Sequence, residues 1–183
     1  MADKKISALT AASTPLDGTE VLPIVQSGVT KKTSVASLSS YAPAFSAYQS
    51  VAQTGLTSTT VTKLTFTTEE FDTNNNFASS TFTPTVAGYY QVSGAFSIDT
   101  LSVLPTALVM FYKNGVGFKF GGVGAGSPSN YVGASASVLI YMNGTTDTLE
   151  MYAYVDLNGV LGTYDTRAAQ NSTYFQATLV RSA

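Results

Sequence analysis

The 183-residue chain contains no cysteine and no histidine, and only 11% of its residues are charged. Without cysteine there is no disulfide and no thiol nucleophile. Without histidine, Ser-His-Asp and Cys-His catalysis are excluded, and so are zinc sites built on imidazole. Carboxylates, lysines, tyrosines and hydroxyls are what remain for chemistry, so neither an enzyme nor a bound cofactor is expected. A globular chain usually carries about 25% charged residues. The deficit leaves a surface of Thr, Ser, Asn and Gly, the texture of turn-rich β-sandwiches or of subunits whose flanks are covered by partners. The net charge of −2 supplies no basic stripe to displace counterions, which argues against nucleic acid. No apolar run approaches the roughly 18 residues that span a bilayer, so membrane insertion is not expected. Met1-Ala2-Asp3-Lys4-Lys5 leads into Ile6-Ser7-Ala8-Leu9-Thr10 rather than an apolar signal core. Synthesis in a reducing cytoplasm without export is the expectation.

Two textures divide the chain. Residues 1–44 hold four of the nine basic residues (Lys4, Lys5, Lys31, Lys32) and no aromatic before Tyr41, whereas residues 45–183 hold all ten Phe and ten of the eleven Tyr. Ser39 to Ala44 reads as a linker, because Pro43 disfavours helix before it. Within the arm, Glu20 to Gln26 reads as a strand held to an edge by Pro23. Ser27-Gly28 is the turn and Val29 to Val35 the returning strand. So small a piece buries too little apolar surface to fold alone, and it is expected to order against a neighbouring protein.

The remainder reads as strands separated by turns. Thr60 to Thr67 alternates, with Val61, Leu64 and Phe66 apolar. Tyr89 to Ile98 sets Tyr90, Val92, Phe96 and Ile98 against Gln91, Ser93 and Ser97, the pattern of a half-buried antiparallel strand. Thr106 to Tyr112 and Ser137 to Met142 are apolar on both faces. Leu149 to Val155 and Tyr174 to Val180 complete the set, and Asn114-Gly115 supplies a tight hairpin turn. This spacing predicts an all-β sandwich or jelly roll of two antiparallel sheets. The second apolar face, marked by Val109, Phe111, Leu139 and Tyr141, is covered either by loops or by subunit association, since large apolar patches are uncommon on monomers.

The ordered set Phe45-Ser46-Ala47-Tyr48, Val61 to Phe66, Phe71-Asp72, Phe82-Thr83-Pro84, Ala87-Gly88-Tyr89-Tyr90, Tyr112-Lys113-Asn114-Gly115, Ser135 to Leu139 and Tyr174 to Leu179 resembles the C1q/TNF-like family over residues 45–183. The resemblance implies a ten-strand jelly roll that forms a homotrimer through apolar strand faces. Phe82, Tyr90, Phe96 and Phe175 would be core, and Val109, Phe111, Leu139 and Tyr141 core or trimer interface. The chain departs from the family in having no collagen stalk, no cysteine, and Ala177 where the closing glycine usually stands.

The arm, with Lys5 to Leu9 and Leu16 to Lys32, is similar to N-terminal segments of phage fibre and virion appendage proteins. That resemblance implies a virion location and docking on phage capsid or tail proteins through Ile6, Leu9, Val21, Leu22, Ile24, Val25, Lys31 and Lys32. Lys31-Lys32 reads either as a contact with an acidic docking surface or as solvated charge. Head decoration or head fibre is the leading assignment. A tail-fibre or collar adhesin that binds a host receptor or glycan, and a free-standing soluble binding module, are the alternatives.

Other candidates have plainer readings beside them. Glu69, Glu70 and Asp72, followed by Asn74-Asn75-Asn76, are oxygen donors of the kind calcium takes, or a solvated turn. Gly121 to Gly126 lacks the helix that a phosphate cradle needs and reads as a surface loop. Asp147, Glu150, Asp156 and Asp165 are the acids from which a glycosidase pair would be drawn, but nothing in the sequence brings two together. Tyr131 and Tyr164 read as loop aromatics for sugar or receptor contact, or as interface filler.

Overall fold

The structure, a computed structural model, describes residues 19–35, 42–99, 105–125 and 131–183. Ile6, Leu9 and linker positions Ser39 to Tyr41 lie outside the described residues. The chain divides into two compact units, Met1–Tyr41 and Ala42–Ala183, each described by itself.

The first unit contains a hairpin of β1 (Val21–Gln26) and β2 (Val29–Ser34). Its register runs without a bulge from Gln26↔Val29 to Val21↔Ser34. Val21, Leu22, Val25 and Val29 are exposed, and Ile24 is half-buried.

The second unit opens with β3 (Ala44–Tyr48), β4 (Leu56–Thr57), β5 (Thr62–Lys63), β6 (Thr68–Asp72), β7 (Phe77–Ala78) and β8 (Thr81–Phe82). The long strands follow: β9 (Gly88–Ile98), β10 (Thr106–Lys113), β11 (Val116–Ala125), β12 (Val132–Met142) and β13 (Leu149–Asp156). Then come β14 (Thr163–Tyr164) and β15 (Tyr174–Ser182). One sheet runs β12-β9-β15-β3-β6, the other β11-β10-β13-β8-β7 with β5 beside β13, and every pair is antiparallel. Neighbours distant in sequence, such as β9 beside β15, make this a jelly-roll β-sandwich rather than a meander.

Period-two patterning decides which residues fill the space between the sheets. On β9, Tyr90, Val92, Phe96 and Ile98 point inward and are buried; Ala107, Val109 and Phe111 do the same from β10, and Ile140 and Met142 from β12. Aromatic rings join the layers. Phe45 stacks on Phe77 at 4.5 Å and meets the Phe175 edge at 5.0 Å, while Phe82 meets Tyr90 at 5.5 Å. Each such side chain contributes about 1.5–3 kcal/mol by leaving water. The Tyr90 hydroxyl keeps a partner in this apolar setting by donating to Val86 O at 2.7 Å. Burial pushes its phenol up to about 12.

Several expectations need correction. The run Thr60 to Thr67 is not one strand. Thr62 and Lys63 form the ladder with β13. Leu64 N still donates to Met151 O on β13, but Phe66 N turns to the Ser80 hydroxyl, so the segment leaves the sheet after Leu64 while burying both Leu64 and Phe66. Glu69 to Asp72 is strand β6 rather than a turn. The glycine run is strand as far as Ala125. A Cβ on Gly121 would lie 2.3 Å from Ala136 Cβ, and one on Gly122 2.3 Å from Ser135 O. The glycines therefore let β11 close tightly on β12. Tyr164, expected on a loop surface, is a buried core residue.

Candidate functional site

The strands read as apolar on both faces sort by direction. Val109, Phe111, Tyr90 and Phe175 are inner-face core, whereas Leu139 and Tyr141 point outward and are 52% and 42% exposed. Tyr141 lies directly across from Tyr89, and Leu139 from Gln91. Tyr89, Leu139, Val180 and Arg181 line an open hollow of about 360 Å³ on the outer face of the β12-β9-β15 sheet. Val180 is aimed there by a bulge, because the β9 register slips between Leu179 and Arg181.

This apolar surface continues round the edge of the sandwich. Val116, Phe118 and Phe120 on edge strand β11 are all exposed. Lys113 bridges the two regions, its Nζ 5.8 Å from the Phe118 ring centre and 5.7 Å from that of Tyr141. The ammonium is fixed by Asp147 Oδ2 and by Tyr141 O, each at 2.8 Å. Burial pushes the Asp147 carboxyl up. Hydrogen bonds from Asn114, Lys113 and the Asn143 N–H, with the Lys113 charge, outweigh burial and hold the carboxyl below its ordinary value. A second fixed pair, Lys63 with Glu150 at 2.6 Å, crosses the other sheet, where Thr81 and the Tyr152 hydroxyl also donate to Glu150.

Lower on the outer face the chemistry turns polar. Ser46, Glu70, Gln170, Asn171, Tyr174 and Gln176 line an open hollow of about 560 Å³. Glu70 accepts from the Ser46 hydroxyl at 2.5 Å and from Gln170 Nε2. These hydrogen bonds hold its carboxyl below the ordinary value. Between the hollows, Gln91 and Ser93 bond to the Ser137 hydroxyl across the strands.

The calcium candidates are not brought together. The register slip between Ser46 and Ala47 turns Glu70 toward Ser46, while Glu69 sits opposite Ala47. Asp72 uses both carboxylate oxygens on the Asn74 and Phe77 N–H groups of the following turn. Among the described residues no three acidic side chains converge on one point. Two further acids hold turns: Asp156 accepts from Gly159 N and Asp165 from Gly55 N. Tyr131 is exposed, and the Arg167 guanidinium lies 3.7 Å from its ring centre. Sequence reasoning missed the Lys113 bridge and the polar hollow, because both depend on strand pairing across long separations.

No protein-family model matches the chain, and no curated protein matches it. Solved structures do. Murine APRIL at pH 8.5 superposes with a TM-score of 0.53 and 8% identity, over 76% of this chain and 99% of that one. Murine APRIL at pH 5.0 gives 0.56 and 6% over the same shares. Eiger TNF from S. frugiperda gives 0.52 and 10%, over 78% of this chain and 93% of that one. At such low identity the likeness is one of fold. The second unit is a TNF-like jelly roll.

Proposed function

We propose that the chain is a structural accessory of a bacteriophage particle, of head-decoration or head-fibre type. Its arm docks on the virion and its jelly roll associates as a homotrimer. The observation that carries this reading is the arm. A two-stranded hairpin with Val21, Leu22, Val25 and Val29 exposed is too small to be stable by itself, and it lies in the segment similar to virion appendage proteins.

The head supports association. A ring needs two different surface regions on each copy, one for each neighbour. The β11 edge with Phe118 and Phe120, and the outer face with Tyr89, Leu139 and Val180, supply two such regions. Three arms on one trimer raise the effective concentration of each arm at the particle, so weak single contacts give lasting attachment. Imaging of virions should find threefold density on the head, lost from particles made with residues 1–41 deleted. Unchanged attachment of the deleted chain would refute the docking role.

A second reading draws on the polar hollow. Amides and a carboxylate beside Tyr174 are the mixture a sugar-binding site uses, as an adhesin would need. Under that reading the isolated head competes with phage for host cells; no competition removes it.

A further inference from the structure

The hairpin has two long edges, and they are chemically unequal. Val35 N donates to Glu20 O at 2.8 Å, so pair 20/35 is hydrogen-bonded. The unbroken register then makes 22/33, 24/31 and 26/29 the bonded pairs, and 21/34, 23/32 and 25/30 the unbonded ones. Backbone groups of unbonded pairs point away from the hairpin. On β1 these are Val21, Pro23 and Val25, and proline has no N–H. The β1 edge is therefore interrupted at its centre. On β2 the outward groups are those of Thr30, Lys32 and Ser34; Thr30 and Lys32 carry both N–H and C=O, and among the described residues β2 has no strand neighbour but β1.

Side chains give the β2 edge a sign. Thr30, Lys31, Lys32 and Thr33 are all exposed or half-buried; they include two cations and no acid. Lys31 and Lys32 project from opposite faces, so each face of the edge is marked by an ammonium.

We propose that the arm docks by strand addition: an extended segment of a virion protein pairs with the outer edge of β2 through Thr30 and Lys32. That segment places acidic side chains beside Lys31 and Lys32, where cross-strand charge pairing favours them. This rests on the docking role proposed for the arm, and it makes the backbone rather than the apolar side chains the main recognition element. Proline at the centre of β1 removes an outward donor from that edge and so favours attachment at β2.

The test uses the full chain and virions from a phage lacking it. Thr30→Pro removes an outward N–H while leaving the bonded pairs of the hairpin intact. Thr30→Ser keeps the N–H. Expected are a loss of particle affinity of about tenfold or more for Thr30→Pro, with Thr30→Ser binding like the parent. Amide exchange at Thr30 and Lys32 should slow on particle binding. Equal loss for Thr30→Ser and Thr30→Pro, or full binding by Thr30→Pro, overturns strand addition. Protection of these amides in the free protein means that the edge is already occupied and overturns it as well. Deletion of residues 1–41 separates the two ideas: if it abolishes binding while Thr30→Pro binds normally, docking stands and strand addition falls. If the deleted chain binds, docking itself is lost.

Discussion

Tyr89 and Tyr141 face one another across β9 and β12 with ring centres 5.5 Å apart, on the outside of the sheet, one residue from the fully buried Tyr90 and Ile140. A single residue step thus separates core from exposed surface. The two populations of apolar side chain should answer differently to the same substitution.

Val109→Asp places a charge with no partner in the core and should cost more than about 4 kcal/mol, a large share of the stability of a domain. Leu139→Asp meets water instead. Its effect on the stability of the separated head should stay within about 0.5 kcal/mol, while the mass in light scattering drops from trimer toward monomer. An unchanged mass for Leu139→Asp, or a parent that is already monomeric, would remove the association assigned to this face.

The hydroxyls of the two deeply buried tyrosines should also differ. Tyr90 donates to Val86 O, and Tyr90→Phe should cost about 1 kcal/mol in urea unfolding. The Tyr164 hydroxyl is buried with no hydrogen-bond partner. Tyr164→Phe should therefore be neutral or stabilising, since it discards an unmet polar group.

Burial pushes both phenols up to about 12, from an ordinary value of 10.0. A raised folded value means the neutral phenol is favoured by folding. That contribution is complete below pH 10.0 and is lost as the pH climbs toward about 12. Denaturant midpoints should fall across this window, and the fall should shrink in the Tyr164→Phe variant.

At the acid end the sign reverses. Despite burial, which works the other way, hydrogen bonds and the neighbouring lysines hold Asp147 and Glu150 below their ordinary 3.8 and 4.5. Their contribution is complete above those values and disappears as the pH falls below them. Asp147→Asn should lower stability by about 1–3 kcal/mol at neutral pH and flatten the acid limb of the stability curve.

Gly122→Ala and Gly115→Ala provide an internal comparison. Both positions have positive φ, +64 and +75, but a Cβ at residue 115 meets nothing within 4 Å, whereas one at residue 122 meets Ser135 O at 2.3 Å. Gly115→Ala should cost about 1–2 kcal/mol for left-handed backbone alone. Gly122→Ala should cost distinctly more in thermal unfolding, because β11 must also move off β12.

Much of this architecture was legible in the sequence. Alternation identified the inner face of β9 residue by residue, since each step along a strand reverses the side chain and water selects the apolar side. The Asn114-Gly115 turn was equally plain, both residues taking positive φ. The limits are just as local. Thr60 to Thr67 alternates like a strand, yet its backbone partners change after Leu64. Tyr164 has the composition of its loop but the burial of the core. Gly121 and Gly122 look like a loop until β12 is placed against them.

By itself, then, the sequence determined the class of the fold, its inner face, its turns and the lack of histidine or cysteine chemistry, because these follow from period, backbone preference and composition within a few residues. Only the tertiary structure decided which apolar residues stay outside, that Lys113 ties Phe118 to Tyr141, that Glu70 turns toward Ser46 rather than toward Asp72, and which backbone groups of the arm hairpin point outward. Those outcomes depend on pairing and on register slips between strands far apart in the chain, where a shift of one residue exchanges core for surface.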